Sequence, residues 1–177
     1  FSHRPNGDAV RFFAREVLPL VRESLPEVEL LVVGDNAPAG LGGEGAGGVR
    51  VLGYVPEIAP LFEGARVFVA PMRFGAGMKG KVGDALSYGL PVVTTNVGAE
   101  GMSLRDGEEA LIADTARDFA SAVVRLYRDE ALWRRLASNA HAHVEQHFSP
   151  RVVGRIVNDS ILGLLGELEK HPPATVL

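Results

Sequence analysis

A short stretch of this sequence combines glycine and lysine in a way that suits the binding of an anion. Three glycines and two lysines occur between positions 75 and 81: Gly75, Gly77, Lys79, Gly80 and Lys81. An apolar run at residues 67–70, typical of a buried parallel strand, comes before them, and a segment that predicts a helix follows. Glycine lets backbone N–H groups approach a ligand closely, and the N-terminus of a helix carries partial positive charge. The stretch therefore predicts an anion site, in the first place for phosphate.

Two known phosphate motifs resemble this stretch without fitting it fully. Residues 75–80 satisfy the letters of the dinucleotide fingerprint G-x-G-x-x-G, but the predicted strand at 91–95 does not end in the acid that this fingerprint requires for ribose. A Walker motif needs a Ser or Thr for magnesium where this chain has Val82. Both alternatives are disfavoured, and a glycine-rich connection with solvated lysines is the third alternative.

Three neighbouring segments extend the pattern. Residues 71–85 read Pro-x-Arg-x-Gly-x-Gly-x-Lys-x-Lys-x-x-Asp-Ala, residues 88–95 read Tyr-Gly-Leu-Pro-Val-Val-Thr-Thr, and residues 98–101 read Gly-Ala-Glu-Gly. Together they resemble the nucleotide-sugar domain of the group 1 glycosyltransferases. The start of the chain, with His3, Pro5-Asn6 and Asp8-Ala9-Val10, is similar to the segment after the first strand of that domain. The family consists of retaining enzymes of GT-B architecture, which have two Rossmann-like domains with a cleft between them.

The chemistry of such a reaction indicates which residues should contact the donor. Breaking a nucleotide-sugar bond leaves charge on a diphosphate, which N–H groups and cations stabilise. We expect that role for Gly75, Gly77, Met78, Lys79 and Lys81, and for His3 and Asn6 at the same edge of the sheet. In the family, the acid that opens the following helix binds the nucleotide ribose. Asp84 takes its place here and is one methylene shorter than the usual Glu.

Recognition of the transferred sugar must differ from that in many relatives. Those relatives carry a Glu eight residues before the ribose acid, where this chain has Ala76. We expect Glu100, together with Gly98, to contact the donor sugar instead, because both follow the next strand at the same sheet edge. The alternatives are an exposed loop acid at Glu100 and a plain capping role for Asn6. No Ser-His-Asp triad or paired carboxylates are recognisable, so the catalytic residues stay unidentified.

Composition limits the other classes of function. The 177 residues are 46% hydrophobic and 23% charged, as in ordinary globular proteins, and the net charge of −4 argues against a nucleic-acid partner. There is no cysteine, and His143 and His147, although one helical turn apart, are expected on a solvated face rather than in a metal site. No apolar run approaches roughly 18 residues, so we expect a soluble, cytoplasmic protein. We also expect no metal or other cofactor.

Apolar periodicity and turn residues place the elements that must position these side chains. Strands are predicted at 28–33, 49–55, 66–70, 91–95 and 110–113. Helices are predicted from Asp8 as N-cap to shortly before Pro26, at 57–64, after the glycines, from Thr115 as N-cap to Tyr127, from Asp129 to about His147, and from Pro150 onward. Residues 36–48, with six glycines, are predicted to be a flexible surface loop.

This alternation of strands and helices predicts the α/β class. We expect a Rossmann-like parallel sheet with helices on both faces, as one domain over residues 1–177 that corresponds to the C-terminal half of a GT-B enzyme. Phe1-Ser2-His3 reads like the end of a strand. We therefore expect a fragment that lacks its first strand and the N-terminal acceptor domain.

The predicted function follows from the resemblance. The chain is expected to be the donor-binding half of a retaining, hexosyltransferase-like glycosyltransferase that uses a nucleoside-diphosphate sugar, and to be inactive without its N-terminal domain. The alternative is a non-catalytic nucleotide-binding or regulatory α/β module. The last helix has an apolar stripe that includes Leu164, Leu165 and Leu168. That stripe could pack in the core of this domain, cross to the N-terminal domain, or drive weak self-association.

Overall fold

The computed structural model describes residues 1–41 and 47–170, with side chains up to residue 163. The strands are β1 (Leu30–Val33), β2 (Val49–Gly53), β3 (Phe68–Ala70), β4 (Val92–Thr94) and β5 (Leu111–Ile112). The helices are α1 (Arg4–Phe12), α2 (Leu18–Ser24), α3 (Ala59–Gly64), α4 (Gly80–Ser87), α5 (Asn96–Ala99), α6 (Ala116–Arg128), α7 (Glu130–His147) and α8 (Pro150–Lys170). All five predicted strands are present, each shorter than predicted. Residues 42–46 of the predicted glycine-rich loop lie outside the described residues.

Every strand pairing of the described residues is parallel. β1 pairs with β2, and β4 pairs with β3 on one side and with β5 on the other. The predicted sheet is therefore divided into a two-stranded and a three-stranded ladder, and no strand pairing within 1–41 and 47–170 joins the two. Since parallel strands end at the same edge, the loops after β3, β4 and β5 emerge side by side.

The three-stranded ladder is covered on both faces, as predicted. Val92, Val93 and Thr94 in β4 are all fully buried, although successive side chains of a strand point to opposite faces. Val93 belongs to the main hydrophobic cluster, which α1, α2, α6 and α7 build together with β4 and β5. A strand buried on both faces needs no polar residue at alternate positions, which agrees with two consecutive valines in β4.

The first helical segment differs from its prediction. Its helix begins at Arg4 rather than after Asp8, so the prediction of Asp8 as the cap is wrong: the residue that precedes the helix is His3. A π-helical turn, Phe13–Val17, then separates α1 from α2. Pro19 has no backbone N–H and cannot continue the regular hydrogen-bond ladder, which explains the wider turn just before it.

Two helix starts agree with the sequence rules. Thr115 Oγ1 accepts a hydrogen bond from the Asp118 N–H at 3.1 Å, so Thr115 caps α6 as predicted. Pro150 is the first residue of α8, where a missing N–H costs nothing. These boundaries depend only on residues within one turn, which is why the sequence predicts them well.

The chain divides into two compact units, Phe1–His141 and a second one that begins at Ala142. Within the second unit, the apolar stripe of α8 is exposed at Val153, Ile156, Val157 and Ile161, by 44 to 57% of each residue's surface. These exposures do not support burial of the stripe in the core. The side chains of the remaining stripe residues lie outside the described ones, and self-association through α8 stays a prediction.

Candidate functional site

The connection between β3 and α4, residues 71–79, forms a loop whose shape depends on glycine. We call it the glycine loop. Gly75 has φ +120° and Gly77 has φ +79°, conformations that residues with a Cβ rarely adopt. A Cβ placed on Gly75 would lie 3.4 Å from Pro5 Cβ and Cγ, so the loop packs directly against the first turn of α1. The start of α1 and the start of α4 therefore both lie beside this loop.

The helix after the loop offers its first N–H groups to a ligand. Lys79 precedes α4, its C=O accepts from the N–H groups of Val82 and Gly83, and no side chain caps the helix. The N–H groups that precede these bonds have no partner inside a helix. They are the donors to which the sequence analysis assigned the predicted anion, and that assignment stays a prediction.

The two lysines of the site have different environments. Lys79 is folded into the loop, and only 12% of its side chain is exposed. Its Nζ donates to the carbonyl oxygens of Gly75, at 3.1 Å, and of Gly77. The same Nζ lies 3.7 Å from a carboxylate oxygen of Glu100. Lys81 is exposed, and its ammonium has no hydrogen-bond or ion-pair partner among the described residues. Lys79 thus fixes the loop, while Lys81 is free to meet an anion.

A second loop, residues 100–102 directly after α5, lies against the glycine loop. A Cβ on Gly101, whose φ is +76°, would lie 3.4 Å from the backbone nitrogen of Met78. Together with the pairing of Lys79 and Glu100, this contact brings the predicted diphosphate and sugar residues together. The carboxylate side chain of Glu100 is 58% exposed despite this pairing, so it can also reach a ligand.

The connection after β4 is more ordered than the loop that the sequence predicted. Thr95 caps the short helix α5 by accepting from the Gly98 N–H at 3.0 Å. Asp114, which follows β5, accepts from the backbone N–H of Asn96 at 2.9 Å and from its side-chain amide at 2.6 Å. Sequence reasoning missed Asp114, although an acid directly after a strand is the signal that could have identified it.

The remaining predicted site residues lie near these loops with less specific contacts. Asp84 is exposed on α4, three residues after Lys81 and therefore on the same side of the helix, and its carboxylate has no partner among the described residues. His3 is exposed at the start of α1, and its C=O accepts from the Asn6 N–H at 3.1 Å. No side chain caps α1, so the alternative capping role for Asn6 is not observed.

An ion pair that sequence reasoning did not anticipate fastens the glycine loop to α1. Arg73 Nη2 donates to Asp8 Oδ1 at 2.6 Å, and Arg73 Nε donates to Asp8 Oδ2 at 2.9 Å. The hydrogen bonds and charge of the guanidinium hold the pKa of the Asp8 carboxyl below its usual value. Asp8 is thus a partner of the glycine loop rather than a helix cap.

The histidines show no sign of a metal site. His143 is buried rather than solvated as predicted, and its ring lies 4.5 Å from that of His147 and 5.9 Å from that of Phe148. Within residues 1–41 and 47–170, no three His, Cys, Asp or Glu side chains are grouped to hold a metal ion. None of the helices in this described part is long and apolar enough to span a bilayer.

Comparison with known proteins agrees with this geometry. The model of the family described as "Glycosyl transferases group 1" matches residues 1–129. The phosphatidyl-myo-inositol mannosyltransferase of Mycobacterium leprae is 33% identical over 136 residues, which are 72% of this chain and 36% of that protein. The chain spans between about a third and two fifths of the length of the curated relatives it matches.

Solved structures show the same fold. HepE of Anabaena in complex with UDP-glucose has a TM-score of 0.68 and 21% identity, covering 86% of this chain and 44% of that one. The C-terminal domain of the group 1 glycosyl transferase LpcC of Francisella tularensis has a TM-score of 0.68 and 14% identity, covering 84% and 82%. These likenesses confirm the predicted Rossmann-like α/β class.

Proposed function

Because this chain belongs to the group 1 glycosyl transferases, we propose that it is the donor-binding half of a retaining enzyme that transfers a sugar from a nucleoside-diphosphate sugar. The observation that carries the proposal is the glycine loop, which opens α4 next to the unpaired cation of Lys81. The similarity to a C-terminal domain of this family over 82% of that domain supports the assignment to the donor half. A relative of the same fold is described in complex with UDP-glucose, which supports the donor class.

Different elements of the site contact different parts of the donor. Lys81 and the first N–H groups of α4 contact the diphosphate, and the charge that develops there as the sugar departs is stabilised by donors that are already in position. Lys79 holds the loop around the diphosphate and adds its charge at short range. Asp84, on the same side of α4 as Lys81, contacts the ribose.

The sugar end of the donor lies toward the second loop. Glu100 contacts sugar hydroxyls, and Gly98 lets α5 approach the strands closely enough to place that acid. His3 and Asn6 contribute to the diphosphate site from the start of α1, which the packing of Pro5 on Gly75 brings to the glycine loop. The site uses no metal ion, because the cations and N–H groups supply the positive charge that the diphosphate requires.

Thermal unfolding tests the ligand class. We expect UDP, GDP, dTDP or ADP to raise the melting temperature, because a ligand that binds only the folded state contributes about 2.7 kcal/mol at 100 times its dissociation constant. In a chain of this size that corresponds to roughly 5 to 11 °C. NAD should have little effect, because no acid follows the strand β4 to bind its ribose. A larger shift with NAD than with every nucleoside diphosphate would contradict the proposal.

Transfer itself should require more than these residues. We expect the purified 177-residue chain to bind the donor without passing its sugar to an acceptor, because the proposed acceptor site belongs to a second domain of a GT-B enzyme. The measurement is release of UDP from UDP-glucose together with a search for glycosylated product. Sustained, donor-dependent glycosylation by this chain would show that the acceptor site lies within it.

A further inference from the structure

The guanidinium of Arg73 contacts α1 and the π-helical turn that follows it. Two of its nitrogens hold the two oxygens of Asp8, a third lies 3.9 Å from Glu16, and the guanidinium carbon lies 4.9 Å from the centre of the Phe12 ring. These contacts orient the guanidinium toward the first helical segment of the chain and fix its rotamer. Through these contacts, Arg73 holds the segment that carries it against that helical segment.

The segment that carries Arg73 is the glycine loop. Arg73 lies two residues before Gly75, and Asp8 lies three residues after Pro5, so the ion pair and the contact of Gly75 with Pro5 join the same two segments. Because the ion pair and the packing contact lie so close together, they fix both the distance and the orientation between the loop and the first turn of α1. Single-sided attachment would leave a glycine-rich loop free to rotate about its backbone bonds.

Stability alone does not account well for this arrangement. The side chain of Arg73 is 46% exposed and that of Asp8 is 22% exposed. Ion pairs this close to solvent typically contribute only a small amount to the free energy of folding, and the bidentate geometry of this pair favours the upper end of the range measured for such pairs. The fold of residues 1–141 also has a large buried cluster, and neither Arg73 nor Asp8 is one of its members.

We propose that Arg73 and Asp8 are positioning residues that hold the glycine loop and the first turn of α1 at a fixed spacing around the donor diphosphate. This inference rests on the proposed function, because the ligand held between the start of α1 and the start of α4 is the donor diphosphate of that proposal. The bidentate geometry requires the planar fork of arginine, which lysine does not have. The pair acts through the loop and touches no part of the donor.

The test is calorimetry with UDP and with uridine on the 177-residue chain and on the variants R73M, R73K, D8N and R73M/D8N. R73M and D8N should each weaken UDP binding by roughly 2- to 30-fold, the range for residues that modulate a site without contacting the ligand. Uridine affinity should stay within about twofold, because only the diphosphate lies at the loop. R73K, which keeps the charge but not the fork, should resemble R73M.

Two controls separate positioning from general damage. R134M removes an exposed pair of Arg134 with Glu130 on α7 and should leave UDP affinity unchanged. The double variant should be no weaker than the worse single variant, since both substitutions break one interaction. The melting temperature should fall by no more than about 4 °C, and D8N, which changes one atom, keeps the test valid if R73M does not fold.

The outcomes distinguish this inference from the proposed function. Unchanged UDP affinity in R73M and D8N, effects that multiply in the double variant, or equal losses for UDP and uridine would overturn the positioning role while leaving the donor assignment intact. A wild-type chain that binds neither UDP nor the other nucleoside diphosphates would overturn the proposed function, and the inference with it. Selective, non-additive loss of UDP affinity is the result that we expect.

Discussion

Replacing Lys81 by alanine is expected to weaken UDP binding by about 10- to 150-fold. The ammonium of Lys81 is exposed and unpaired among the described residues, next to the first turn of α4, so it is free to make a charge-assisted hydrogen bond. Such a bond contributes roughly 1.5 to 3 kcal/mol, which gives this range of affinity. Uridine binding should hardly change. Calorimetry with both ligands in parallel measures the difference.

Lys79→Ala should have a different signature. The ammonium of Lys79 already donates to two carbonyl oxygens of the glycine loop and lies 3.7 Å from Glu100. Its N–H donors are therefore divided between these groups and a ligand, which makes its interaction with the ligand weaker. We therefore expect Lys79→Ala to lose less UDP affinity than Lys81→Ala. R117A, which removes an exposed cation on α6, is the matched control and should leave UDP binding unchanged. If neither lysine variant changes affinity by as much as about threefold while the fold stays intact, the anion site lies elsewhere.

Replacing Gly98 by valine should produce the largest loss of stability. A Cβ at this position would lie 2.1 Å from Thr94 Oγ1 and 2.8 Å from the carbonyl oxygen of Ala70, and the added methyl groups need still more room. The hydroxyl of Thr94 cannot simply move away, because it donates to that same carbonyl at 3.0 Å in a fully buried position. Overpacking of this kind costs about 1 to 3 kcal/mol, and here the backbone of β3 resists the shift.

Urea unfolding measures this cost, and a second glycine provides the control. Gly64, the last residue of α3, has nothing within 4 Å of the place where a Cβ would lie, so G64A should change the free energy of unfolding by no more than about 1 kcal/mol in either direction. Equal effects of G98V and G64A would show that α5 does not pack against the strands as described. In that case the packing of α5 on the strands would not be what holds Glu100 beside Lys79.

The family was recognisable from the sequence because its signals are close together in the chain. The resemblance rested on motifs between residues 71 and 101, and the match of the family model to residues 1–129 confirms it. The strands, the cap at Thr115 and the start of α8 at Pro150 were also predicted correctly, since each depends on residues within a few positions. Backbone preferences and apolar periodicity are local properties that one sequence carries in full.

The division of roles inside the site required the tertiary structure. Arg73 and Asp8 are 65 positions apart, and only the packing of α1 beside the glycine loop brings them together. The sequence places both lysines at the start of the helix, whereas the structure gives Lys79 partners on two loops and leaves Lys81 unpaired among the described residues. A charged side chain takes the conformation that its non-local neighbours permit, so spacing along the chain predicts that a site exists, while the folded neighbours determine which of its residues are free to bind.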